Sequence, residues 1–180
     1  MDKNNSSSED VKYASFWIRL AAALVDGLVT LPIGLLITYN FLSIKSYPLM
    51  ILLTILSMLY KPLMEWKYRA TLGKMALKIK VVSDNFEFIN IEQAFGRYMP
   101  WIINHILSLL SYFYVFQTDA FLEMDSISNM TALSMESPIE TASSVYLYIF
   151  IIIIVTLIYD KRSQGIHDKI AKTLVIKVNK

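Results

Sequence analysis

The chain has no cysteine. That excludes a disulfide, a thiolate metal site and a cysteine nucleophile. Glycine and proline number only five each in 180 residues, so there is no room for a long flexible linker. Charge is sparse as well: 18% of residues are Asp, Glu, Lys or Arg, and the net charge is only +2. What fills the chain is apolar. Hydrophobic residues make up 55% and the mean hydropathy is +0.46, against roughly 45–50% apolar, glycine included, in soluble domains.

Four stretches are long enough to cross a hydrocarbon core ~30 Å thick, which takes about 20 residues. They run from about Phe16 to Phe41, Tyr47 to Trp66, Tyr98 to Phe116, and Ser144 to Tyr159. Trp17, Tyr39, Tyr47, Trp66, Trp101 and Tyr159 stand near their ends, as interfacial aromatic belts do. The opening MDKNNSSSED is polar and reads as a frayed tail over residues 1–12. It lacks the basic start and the small-residue cleavage site of a secretory signal, so the first apolar run is expected to be retained.

The distribution of charge sets the orientation. The 117–143 segment holds Asp119, Glu123, Asp125, Glu136 and Glu140 and no Lys or Arg. Of the 17 basic residues, Lys45 alone lies in the link between the first two spans. The rest lie before the first span, between the second and third, after the fourth, or at the ends of spans facing those segments. Basic residues stay on the cytoplasmic side. Both termini and the 67–97 segment are therefore expected to be cytoplasmic and the acidic loop external. The fold class is all-α membrane: four transmembrane helices with a small cytoplasmic β/amphipathic element.

That element comes from three alternating runs, LKIKVVS (77–83), FEFIN (86–90) and KTLVIKVN (172–179), with Asp84-Asn85 as a turn. Three short strands in one small sheet are expected. Asn90 followed by Gln93 reads as a capping box opening a short helix, IEQAFGRY, that leads into the third span.

Asp26 is the only charge between Leu20 and Ile44. A carboxylate near the middle of a membrane helix costs about 2.5–3.5 kcal/mol on insertion scales, so it must be protonated, paired or hydrated. Arg19, seven residues earlier, lies on the same helix face ~10 Å away along the axis. In the second span Thr54, Ser57, Lys61 and Glu65 share one face, and in the third Arg97, Asn104, Ser108 and Ser111 do. Ser57 and Ser108 lie at nearly the depth of Asp26, with Thr30 one turn deeper. Asp26 is expected beside the two serines. Near the inner face Arg19, Lys61 and Arg97 balance Asp26, Glu65 and Asp168, which reads as a neutral buried network.

The opening YASFWIRLAAALVDGLV, the middle ATLGKMALKIKVVSDN followed by EQAFGRYMPW, and the close DKRSQGIHDKIAKTLVI resemble, in that order, the RDD family of bacterial membrane proteins. The resemblance covers about Tyr13 to Val178. The family's arginine and two aspartates match Arg19, Asp26 and Asp168. Two features depart from its pattern: the approach to Thr71-Leu72-Gly73-Lys74, and the acidic 117–143 loop, which looks like an insertion. The resemblance implies a bacterial inner-membrane location and a fold more firmly than an activity, ion or proton antiport being suggested for some members.

Two function readings stay open. One is a transporter-like or ion-handling protein, with Asp26 as a Na⁺ or H⁺ site and Arg19 and Asp168 as gating partners. The other is a non-transporting membrane scaffold or assembly partner in which the same residues lock the bundle. The bilayer is the expected environment, and the weakly polar fourth span suits a second copy or a membrane-protein partner. An enzyme is not expected. His167-Asp168 lacks a matching nucleophile or third metal ligand, and Leu72-Gly73-Lys74 lacks the frame of a phosphate-binding loop. His105 reads as a core histidine or a proton relay. No metal, cofactor or nucleic acid is implied.

Overall fold

A computed structural model describes residues 11–123 and 125–178. Most of the polar tail (1–10) and Asn179 lie outside the described residues. Four helices are long and apolar enough to cross a membrane. They are α1 (Phe16–Tyr39), extended by a π-helical turn (Asn40–Ile44); α2 (Tyr47–Tyr68); α4 (Ile91–Phe116); and α7 (Glu140–Tyr159). Short helices lie between and after them: α3 (Leu72–Ala76), α5 (Ala120–Glu123), α6 (Ile127–Met135) and α8 (Ile166–Ile170). The acidic loop thus carries α5 and α6.

The Asn90–Gln93 capping box forms. Gln93 N donates to Asn90 Oδ1 at 2.7 Å, and Asn90 N donates to Gln93 Oε1 at 3.1 Å. The helix it opens leads into the third span without a break. It runs on as one 26-residue helix.

The sheet has two strands, β1 (Ile79–Ser83) and β2 (Thr173–Lys177), paired antiparallel with Val81 opposite Val175. The expected strand at 86–90 does not form. At the other edge of β1, Ser83 N donates to the Glu87 carbonyl at 3.1 Å, but Val81 N donates to the Arg69 carbonyl at 2.6 Å, so the pairing goes no further than one rung. The chain after Ser83 turns through Phe86 at φ 63°, and Phe88 lies under the Arg69 guanidinium, 2.9 Å from ring centre to Cζ. The outer edge of β2 is met by residues ahead of α1 instead. Ala14 N donates to the Val175 carbonyl at 2.9 Å, and Tyr13 bridges Ile176.

The chain divides into two compact units. The first comprises the described residues up to Val29, Lys61–Arg97, and those from Ile153 onward. Its core is Ala14, Ala22, Ile79, Val81, Ile89, Ala94 and Val175, with Val82, Leu174 and Ile176 on the other face of the sheet. The second comprises Thr30–Tyr60 and Tyr98–Ile152. There Phe41, Met50, Val115 and Phe121 form the core, and Phe41 meets Tyr112, Phe116 and Phe121 edge to face. Asn40, fully buried, closes the turn between α1 and α2: its amide donates to the Ser46 carbonyl and accepts from Ser46 N.

Candidate functional site

Asp26 is 2% exposed on α1. Its two oxygens are taken by the loop that opens α3. Thr71 Oγ1 donates to Oδ2 at 2.6 Å, and Gly73 N donates to Oδ1 at 2.8 Å. Thr71 is itself the N-cap of α3, accepting from Lys74 N at 3.3 Å. The first amides of a helix have no partner within it. Asp26 supplies one from another helix, and in return its charge is hydrogen-bonded. The close approach depends on Gly73. A Cβ there would collide with the Ala22 carbonyl and stand 2.9 Å from both Asp26 Cγ and Asp26 N.

Around Asp168 a second cluster gathers groups from six elements. Asp168 is fully buried on α8. Arg19 of α1 reaches its Oδ2 with Nη1 at 2.5 Å, and Gly165 N donates to the same oxygen at 3.2 Å. Arg97 of α4 brings Nη1 to 3.0 Å from Oδ1, with His167 Nε2 at 3.3 Å. Neither contact is aligned as a hydrogen bond, so Oδ1 is held by the charge of Arg97 rather than by a directed bond. Arg97 Nη1 donates to Thr173 Oγ1 on β2 at 2.7 Å, and its Nε donates to Glu65 Oε2 on α2 at 3.0 Å. The other oxygen of Glu65 pairs with Lys74. Arg19 Nε donates to the Ala14 carbonyl at 3.2 Å.

The electrostatics follow from burial. Removing the Asp168 carboxylate from water would raise its pKa, but the Arg97 and Arg19 guanidiniums more than offset this and hold it well below the usual carboxylate range. Burial pushes the His167 imidazole down to about 4, the neighbouring Asp168 opposing. Burial likewise lowers the Lys74 ammonium, with Glu65 opposing.

The structure thus joins Arg19, Glu65, Arg97 and Asp168 in one network, all in the first unit. Two sequence-based placements need correction. Lys61 makes no ion pair among the described residues; Lys74 fills the place expected for it at Glu65. Asp26 is hydrogen-bonded to Thr71 and Gly73, partners the sequence reading had not assigned to it. Arg19, expected to balance the buried carboxylates, has its charged contact with Asp168. Lys74, Thr71, Gly73 and Thr173 were missed as site residues. The Thr-x-Gly-Lys spacing was the one visible signal for the first three.

In the second unit Ser57 and Ser108 line a common cavity of about 170 Å³, with Thr54, Asn104, His105 and Tyr112. From α1 the wall receives Ile37, not Thr30. Among the described residues no group of three His, Cys, Asp or Glu is placed to hold a metal ion.

A sequence profile of the RDD family matches residues 13–172. The chain belongs to the RDD family. A second likeness is to the uncharacterized protein YxaI of Bacillus subtilis (strain 168), 29% identical over 126 residues, covering 56% of this chain and 83% of that protein. No solved structure matches the chain. As an RDD family member with four membrane-length apolar helices, it is a multi-pass membrane protein. Its Arg19, Asp26 and Asp168 occupy the two clusters just described.

Proposed function

We propose that the buried charges of this RDD family protein are a structural lock, and that the protein serves as a non-transporting, non-enzymatic membrane scaffold or assembly partner. The observation that carries this reading is the state of the three carboxylates. Asp26 is engaged by a hydroxyl and an amide, Glu65 by Arg97 and Lys74, and Asp168 by Arg19, Arg97 and Gly165 N. A carboxylate that exchanges Na⁺ or H⁺ has to give up such partners in each cycle. Breaking one buried pair typically costs about 3–5 kcal/mol. Two guanidiniums beside Asp168 also repel any cation and oppose its protonation.

The location we propose is the bacterial cytoplasmic membrane, with the first unit and both termini inside, as the basic residues suggest. Single cysteines introduced at Asn85, Ser128 and Lys177, all exposed, test it. Labelling from outside at 128 alone is expected; labelling from outside at 85 or 177 overturns the orientation.

The competing reading is ion or proton handling through Asp26. Flux assays in proteoliposomes with parent protein and Asp26→Asn separate the two. The scaffold reading expects no Na⁺- or H⁺-coupled flux from either, with Asp26→Asn still folded. Flux in the parent that disappears in a well-folded Asp26→Asn variant overturns it.

A further inference from the structure

The cavity in the second unit is walled by residues of three membrane-length helices, α1, α2 and α4. Its wall carries polar groups and no formally charged residue. Hydroxyls within such helices commonly satisfy themselves by donating back to a carbonyl one turn earlier. Thr38, Ser108 and Thr156 do this here. Thr54 and Ser57 do not, and neither their hydroxyls nor the Asn104 side-chain amide makes a hydrogen bond among the described residues. Thr54 is only 6% exposed and Ser57 is half-buried, while Asn104 is exposed on α4. Where hydrocarbon replaces water, a polar group without a partner costs several kcal/mol. These groups therefore need an occupant that donates and accepts hydrogen bonds.

The wall also indicates the occupant's charge. His105 Nδ1 lies 2.9 Å from the Trp101 carbonyl, which can only accept. The ring donates from Nδ1 to that carbonyl. The wall then offers two hydroxyls, one amide and the Tyr112 phenol, a mixture of donors and acceptors with no Asp, Glu, Lys or Arg among them. An ion entering would find no counter-charge there to replace its hydration. At ~30 Å³ per water, the volume corresponds to about five or six waters.

We propose that this cavity is a binding site for a small uncharged molecule rich in hydrogen-bonding groups, of polyol or amide type and about six heavy atoms. The proposal goes beyond the scaffold reading and does not depend on it. Thr54, Ser57 and Asn104 are the binding residues. The site requires no Na⁺, no H⁺ and none of the buried charges of the first unit.

Glycerol and lactate serve as probes, having the same heavy-atom count and differing in charge. Thermal unfolding of the full chain in detergent is followed against rising concentrations of each, in the parent and in Thr54→Val/Asn104→Leu. That double variant keeps the volume and removes polar groups. Ser57→Ala is the milder second variant should the double one not fold. Glycerol raises stability nonspecifically as an excluded solute, so the signal is the difference between proteins. The parent is expected to show an additional Tm rise that grows with the logarithm of glycerol concentration, as binding to the native state does. The variants should lose it, and lactate should show no parent-specific rise. Equal glycerol responses in parent and variants would mean that the cavity holds water only and would overturn the proposal. A larger parent-specific rise with lactate would overturn the assignment of charge.

Discussion

Arg19 and Asp168 are 149 residues apart in sequence and 2.5 Å apart at Nη1 and Oδ2. One sits near the start of α1 and the other on the five-residue α8, so their contact ties the two ends of the first unit together. Replacing Arg19 with Ala leaves a buried carboxylate with Arg97 as its remaining guanidinium. We expect a loss of about 3 kcal/mol, the low end for a broken buried pair. Adding Asp168→Asn should restore part of it. Thermal melts of the two single variants and the double provide the coupling; strictly additive effects would show that the pair is not energetically linked.

Lys74 and Lys61 make a second contrast. Lys74 pairs with Glu65, whose side chain is 9% exposed, while Lys61 is half-buried and takes part in no ion pair among the described residues. Lys74→Ala should destabilise by more than 1 kcal/mol, since it strips one oxygen of a buried carboxylate. Lys61→Ala should stay within about 0.5 kcal/mol, as surface substitutions usually do. Chemical or thermal unfolding in one detergent compares them; equal effects would return Lys61 to the network.

Gly73 tests the seat of Asp26. Gly73→Ala forces a methyl group against the Ala22 carbonyl and Asp26. Neither backbone can give way easily, so we expect a loss of about 1–3 kcal/mol or more. Gly34→Ala is the control, because a Cβ there meets nothing within 4 Å. A neutral Gly73→Ala would mean that the α1–α3 approach is loose.

Acid should weaken the first unit in a defined window. His167 is folded as the neutral ring with its pKa pushed down to about 4. Its unfolded value is near 6.5. A depressed folded pKa means that the stability is fully present above the unfolded value and is lost as pH falls toward the folded one. The loss should run from about pH 6.5 to 4, with a slope of at most about 1.4 kcal/mol per pH unit from this group. Asp168, also depressed, loses its contribution at still lower pH. His167→Gln should flatten the melting profile between pH 6.5 and 4 and leave the more acidic loss in place. An unchanged slope there would assign the acid sensitivity to other groups.

The four spans were legible because hydropathy over about 20 residues is a local property, and the Asn90–Gln93 box because its bonds span three residues. Partners across distance were not. Helical spacing put Lys61 and Glu65 on one face, yet the Glu65 carboxylate is claimed by Lys74 and Arg97, nine and 32 residues on. The same limit hid the anchorage of Asp26, whose partners Thr71 and Gly73 follow 45 and 47 residues later. The FEFIN run has the alternation of a strand and its Glu87 carbonyl does accept from Ser83 N at the edge of β1, but the next rung, Val81 N, is held by the Arg69 carbonyl, which local alternation cannot show. The two arginines and Asp168 were identifiable as a set of charges; their bonding pattern required the fold.

The span between Arg19 and Asp168 also sets a schedule during synthesis. At the usual ~5–20 residues per second, Gly73 follows Asp26 out of the ribosome within roughly 2–10 s, whereas Asp168 follows Arg19 only after roughly 7–30 s. The carboxylate of the first helix can be capped early, while its arginine waits until nearly the whole chain has been made. During that interval the guanidinium has to be accommodated by lipid headgroups or by the insertion machinery. A ribosome stalled before codon 168 would leave a nascent chain with four hydrophobic helices and an unanswered positive charge, a form that membrane quality control could distinguish from the finished protein.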